Sequence, residues 1–501
     1  MLNKVLLNIK MCINDTKAPF LVLIGYAIFT LIGVFHHEIW CDEAQAFMIA
    51  KYAGFFEMFK HLENDGHPCV FFLILMPFAK IFQNIIWLKI ICWLISCFSV
   101  FLLWKYSDFS VKTKSILTLS APFIYIFPIV SRNYTLIPLF CFLLAIFYKK
   151  NEEHPFIYAI LILLLSHTHV LCAMFCLLLG ADFFFQRIYK KPCQKKFYVS
   201  FFIILSGFVA LFFQLWGTPS SNVMYSYSLG SDLLYSILTD LIFTLSLVFR
   251  FFSNAISYFG PLQTPFIITL VLGFLYFSAF IYAVILLYKT GKKWFYVFLI
   301  SFLYWMFIHL YVHSAYIFPF RIYIMHTVLI FCFWMVQEEN NSNDVKMKLN
   351  QALSLLFLFL IPTGFYWNYL DYKFDYTNSE NVSELIKKDI NLENSLILTD
   401  FPQHTVLINY YVNPDLYVVQ TGKPYTYVRW GKYLWNYFSP LNWLYYAKME
   451  RKVTNKEIYI ITPTILKDLN NPEVEKSFEV VFIPKKSMET FEKFFVYKFK
   501  G

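Results

Sequence analysis

Long apolar runs recur through the first 370 residues, many of them near the roughly 20 residues that cross a bilayer core. A water-soluble domain has no interior large enough to hide so many, so the chain must be a polytopic helical membrane protein. Composition agrees: 58% of the 501 residues are hydrophobic and only 15% charged, too few to solvate a soluble surface. The net charge of +10 points away from nucleic acid, because Lys and Arg gather in short loops between apolar runs, as membrane orientation requires.

Lys4, Lys10 and Lys17 precede an apolar stretch over 19–35 with no small-residue cleavage site, which reads as an uncleaved first span leaving a cytoplasmic N-terminus. The polar loop 36–67 then emerges on the outer side. Further apolar runs fall near 68–84, 86–104, 115–130, 134–148, 155–166, 169–185, 197–215, 236–259, 265–288, 294–312, 317–336 and 351–369. Keeping the basic loops 105–114, 149–150, 187–196 and 289–293 inside requires two runs, best 68–84 and 236–259, to be re-entrant or interfacial. Length and charge together predict eleven to thirteen transmembrane segments. The charge-based arrangement also places the clusters 131–134, 166–169 and 313–316 on the outer side with loop 36–67.

The transmembrane domain is expected over 1–370 and a soluble α/β domain over 371–501, on the outer side. Strand-like runs lie at 396–398, 416–419, 458–461 and 480–483, with a helical pattern at 383–390. The segment 423–446 breaks this alternation with Tyr425, Tyr427, Trp430, Trp435, Tyr437 and Trp443, as expected of a surface touching lipid headgroups. The chain has no internal repeat and no glycine-rich phosphate loop. Its ten cysteines precede residue 333, several inside apolar runs as small hydrophobes. Cys41 and Cys69 flank loop 36–67, where free thiols are favoured over a disulfide.

The strongest local signal is HHEIWCDEAQAF at 36–47, with Asp42 and Glu43 adjacent at the membrane boundary. Asp42 with Gln45 three residues on fits a capping box, and Glu43 suits the positive end of a helix. The functional alternative is a general base, a carboxylate whose affinity for protons is raised by partial desolvation. Asp65, Gly66, His67 and Pro68 close the loop; Gly and Pro set a sharp re-entry that returns Asp65 and His67 towards the acid pair. Arg132, with Tyr134 beside it, is either a snorkelling anchor, the commoner use, or an anion ligand, and the cost of an isolated outer-side Arg to orientation brings the two readings level. His167 and His169 alternate in SHTHV, suited to a phosphate contact and, lacking a third ligand in sequence, less suited to a metal. In FPFRIY at 318–323, Arg321 is an intramembrane cation needing a partner, with Tyr323 and His326 close by. Arg250 reads equally well as a structural partner of Asp240.

A carboxylate base on one side and outer-side Arg and His on the other suit displacement of a phosphate from a sugar by a hydroxyl. No nucleotide fold is present, so the phosphate belongs to a lipid carrier dissolved in the bilayer. In feature order the chain resembles the GT-C superfamily of integral membrane glycosyltransferases, in the branch of protein O-mannosyltransferases and aminoarabinose transferases. The resemblance is carried by WCDEAQAF at 40–47 and DGHPCVFFLIL at 65–75, and more weakly by SRNY at 131–134, SHTHV at 166–170 and FPFRIY.

The resemblance implies transfer of a sugar from a polyprenyl phosphate to a glycan, lipid or protein hydroxyl at the outer face of the cytoplasmic membrane, with inversion. Asp42 takes the base position with Glu43 supporting it. Arg132 and Arg321 bind the donor phosphate with His67 and His169, supported by Asp65, Tyr134, His167 and Tyr323. The resemblance identifies no obligatory cofactor, and since some relatives bind a divalent cation near the acidic motif and others do not, a cation at Asp42 and Glu43 is left open. Cys69 stands where the family usually has a second Pro, which bears on the local lipid contacts. The competing readings are a flippase of lipid-linked sugars, which needs internal repeats that the chain lacks, and a polysaccharide polymerase or ligase.

Overall fold

The computed structural model describes residues 18–62, 67–190, 194–215, 266–308, 321–412, 416–429, 434, 436–467, 471–488 and 492–501. The run 236–259, Arg250, Asp240, Asp65, Trp430, Trp435 and the cluster 313–316 lie outside them.

Up to Lys373 the described chain is helical. Six stretches are long and apolar enough to cross a membrane: Pro19–His36, Ile86–Tyr106, Val170–Tyr189, Lys195–Leu215, Val271–Thr290 and Asn343–Lys373. The helix Val70–Phe82 has 13 residues and Pro155–Ser166 has 12. At about 1.5 Å per residue both fall short of the ~30 Å hydrocarbon core. Length therefore leaves the second of these short as well as the first, although its composition is that of a span. Ile322–Glu339 is buried at every position from 322 to 337, which makes it the centre of the bundle, as a helix apolar all round must be. The expected run 351–369 divides at Phe359 into Asn343–Leu358 and Leu360–Lys373. The second helix approaches the turn at Pro122–Ile126 so closely that a Cβ on Gly364 would come 2.8 Å from Ala121 Cα.

Beyond Lys373 the chain builds a six-stranded sheet in the order β3-β2-β1-β4-β6-β5. Its strands are β1 (Ser395–Thr399), β2 (Tyr417–Val418), β3 (Lys423–Pro424), β4 (Glu457–Thr462), β5 (Phe478–Phe482) and β6 (Phe495–Phe499). β1 pairs parallel to β2 and β4, and β6 runs antiparallel between β4 and β5. SLILT in β1 is buried throughout, the continuous apolar run of a parallel strand covered on both faces. The helix Pro440–Thr454 covers one face with Trp443, Leu444 and Ala447.

Trp443 is thus fully buried in the core, and Tyr427 is buried against His61, where the sequence suggested a headgroup-facing surface. An indole has enough apolar area to fill the layer between helix and sheet, and that use takes precedence here.

The sheet unit docks on the polar segment that follows the first apolar helix through specific polar contacts. Gln45 Nε2 donates to the Val428 carbonyl at 2.8 Å, and the Val428 N–H donates to Gln45 Oε1 at 2.9 Å. Tyr427 Oη donates to Glu57 at 3.1 Å, and the Thr377 N–H and hydroxyl donate to Glu38 at 2.7 and 2.8 Å.

Candidate active site

The helix Cys41–Tyr52 begins one turn after the first span ends, and its start positions both acids. Trp40 is the N-cap, so Glu43 occupies the third helical position and accepts the Trp40 N–H at 3.0 Å. The cap is therefore Glu43, not Asp42 with Gln45: the helix starts two residues earlier than that pairing needs, and Gln45 is engaged by Val428.

Asp42 forms an ion pair with Arg132 Nη1. The Asp42 side chain is 37% exposed and that of Arg132 12%. Arg132 Nη2 donates to His67 Nε2 at 3.2 Å, which requires that imidazole nitrogen to carry no proton. The guanidinium lies 5.6 Å from the ring centres of both Trp40 and Tyr134. Tyr134 stacks on His169 with centroids 5.4 Å apart, and His169 meets His67 edge-on at 5.0 Å. His169 Nδ1 accepts the Leu171 N–H at 3.2 Å, fixing the ring. Asp42, Arg132, His67, Tyr134 and His169 are thus brought together from three separate loops.

Burial pushes the Asp42 carboxyl towards protonation, but the positive charge of Arg132 and its hydrogen bond outweigh that and hold the group below its ordinary value. Desolvation alone suggested the opposite direction. The neighbouring guanidinium reverses it.

Glu43 points elsewhere. Its Oε2 meets His37 Nε2 at 3.3 Å, its Oε1 accepts the Ser131 N–H, and His37 Nδ1 meets Asp371 Oδ2 at 2.7 Å. Tyr125 Oη adds a hydrogen bond to Asp371 at 3.1 Å, and Lys89 Nζ donates to the His37 carbonyl. Burial disfavours charge on His37, but Asp371 and Glu43 outweigh it and raise the imidazole to about 10, so an imidazolium links two buried acids. The two neighbouring carboxylates have different partners and do not form the paired donor set that a divalent cation at Asp42 and Glu43 would require.

His167 is held in its own turn, Nδ1 lying 3.0 Å from the Leu163 carbonyl. Arg321 begins the central helix with its carbonyl accepting from Trp305 Nε1 at 3.1 Å, and Tyr323 packs with His326 and Trp367. Their described neighbours differ from those of Asp42. Cys41 and Cys69 are not bridged.

Asp42, His67 and Arg132 line a cavity of about 30 Å³ together with the apolar rings of Phe71 and Phe72. It holds little more than one small group while the Arg132–Asp42 bridge is closed. A larger cavity of about 420 Å³ lies beside Lys89, Lys387, Tyr410 and Tyr411 and does not include Asp42. The acid–guanidinium–imidazole cluster, not cavity size, identifies the candidate site.

Sequence reasoning did not single out His37, Asp371, His404 or Glu492 for the site. Asp371, His404 and Glu492 are more than 300 residues from the acid motif, and nothing short of the fold brings them to it.

No protein-family model matches the chain, and no curated protein matches it. Among solved structures it is similar to ArnT from Cupriavidus metallidurans in the apo state, at 8% identity and a TM-score of 0.44, covering 96% of this chain and 97% of that one.

Proposed function

We propose that this protein is a membrane glycosyltransferase that moves a sugar from a polyprenyl-phosphate donor to a hydroxyl acceptor at the outer face of the cytoplasmic membrane, with inversion. The observation that carries the reading is the Asp42–Arg132–His67 cluster in a cavity also lined by Phe71 and Phe72. Such a cavity offers cationic donors to a phosphate, an apolar wall to the first units of a lipid tail, and a carboxylate to an attacking hydroxyl. The acid motif 40–47 and the His-Pro segment 65–75 support the same reading by their resemblance to GT-C enzymes.

In the mechanism we infer, the donor phosphate displaces Asp42 from Arg132 and takes its place on the guanidinium, with His67 contributing a second contact. Asp42 is then left facing the acceptor hydroxyl and accepts its proton as the oxygen attacks the anomeric carbon. The carbon–oxygen bond to the phosphate breaks, and the charge developing on the departing phosphate falls on Arg132. Glu43 supports this indirectly: its bond to the Ser131 N–H fixes the residue next to Arg132.

The test is transfer from a radiolabelled polyprenyl-phosphate sugar in membranes. Asp42→Asn should lower turnover by about 10²–10⁴-fold while donor binding survives, and Arg132→Leu should weaken donor binding. Undiminished turnover in Asp42→Asn removes the base assignment.

A further inference from the structure

Three side chains from distant parts of the sequence converge next to Asp42 without belonging to the phosphate cluster. Cys41 opens the acid-motif helix, His404 lies in the loop after β1, and Glu492 precedes β6. One ligand atom from each, thiol sulfur, imidazole nitrogen and carboxylate oxygen, lies within 4.8 Å of the others. Cys41 Sγ is 3.5 Å from His404 Nδ1. A tetrahedral zinc with bonds of about 2.3 Å to sulfur and 2.0–2.1 Å to nitrogen separates those two atoms by about 3.5 Å.

The surroundings hold the three groups in place. The His404 ring stacks on Phe401 with centroids 4.2 Å apart and planes 16° off parallel. Fully buried Glu492 accepts the Cys41 N–H at 2.6 Å and the Ser379 hydroxyl at 2.8 Å, which fix its carboxylate beside the Cys41 end of the helix. Asp42 Oδ1 lies 3.9 Å from Cys41 Sγ, so the three groups adjoin the proposed base. Thiolate, imidazole and carboxylate together select zinc over the hard cations magnesium and calcium.

We propose that Cys41, His404 and Glu492 form a zinc site that clamps the C-terminal sheet unit onto the helix carrying Asp42. The metal joins elements 363 and 451 residues apart at the point where the base is held. This assignment does not depend on the transferase reading, since its readout is metal content.

The experiment uses the full chain in detergent, purified through a tag containing no histidine, with zinc measured by mass spectrometry. About one zinc per chain is expected in the parent, less than about one tenth of that in Cys41→Ser and in His404→Ala, and an undiminished value in Cys69→Ser. As a check independent of how well the variants fold, the chelator-stripped parent is titrated with cobalt(II). A sulfur-to-cobalt charge-transfer band in the parent supports the site, and its absence overturns it. Full zinc retention in Cys41→Ser overturns it equally.

Discussion

Replacing His37 by Leu tests the buried network behind the acid motif. The imidazolium joins Glu43 and Asp371, and both His37 and Glu43 have side chains with no exposure. A displacement from 6.5 to about 10 corresponds to about 5 kcal/mol, in line with the ~3–5 kcal/mol lost when one partner of a buried ion pair is removed. Because the folded value lies above the unfolded one, the whole contribution is present below pH 6.5. It then declines by about 1.4 kcal/mol per pH unit and is gone above about pH 10. Unfolding of detergent-solubilised protein, followed by tryptophan fluorescence, should therefore show His37→Leu less stable by about 3–5 kcal/mol at pH 6, with the gap nearly closed at pH 9.5. A variant within about 0.5 kcal/mol of the parent at pH 6, or a gap equal at both pH values, would refute the charged bridge.

Gln45→Ala should loosen the sheet unit, leaving a buried Val428 donor and acceptor unpaired at about 1–3 kcal/mol each, read as faster proteolytic release of the C-terminal fragment. Gly364→Ala should destabilise the fold by about 1–3 kcal/mol, read as a lower thermal midpoint, since the new methyl meets the Ala121 backbone, which cannot turn aside, as well as the Ile124 side chain. Burial raises the Asp400 carboxyl to about 6, against the opposing Phe438 N–H, so it stabilises the fold fully below pH 3.8 and loses that contribution as pH rises through 6. Asp400→Asn should then gain about 1–3 kcal/mol at pH 8 and little at pH 4, measured by denaturant unfolding at the two pH values.

The helical bundle was legible because membrane spans announce themselves by length, and strands β1, β2, β4 and β5 because short apolar runs between polar segments have few other uses. β6 was missed: Lys498 interrupts FVYKF, and only its antiparallel pairing with β4 makes it an interior strand. At the site, Asp42, His67 and Arg132 stood out as charged or ionisable groups at membrane boundaries, where polarity costs enough to demand a reason. Their convergence was expected, but the direct Asp42–Arg132 ion pair was not, and neither was the reversal it imposes on the proton affinity of Asp42. The different settings of Asp42 and Glu43 are likewise a product of folding: residues adjacent in sequence differ by about 100° around a helix, and only the packing decides which one meets the groove.

That angular step turns the stretch from His37 to Glu43 into a ruler. His37 is anchored at the end of the first crossing by Asp371 and Lys89, and the interval from there to the helix start decides which acid faces Arg132 and which faces the bundle. Inserting one amino acid between 37 and 42 would rotate the helix by a quarter turn or more, carrying Asp42 off the guanidinium and Glu43 off the Ser131 amide together. Loop length in this segment is therefore under tighter constraint than side-chain identity at its exposed positions.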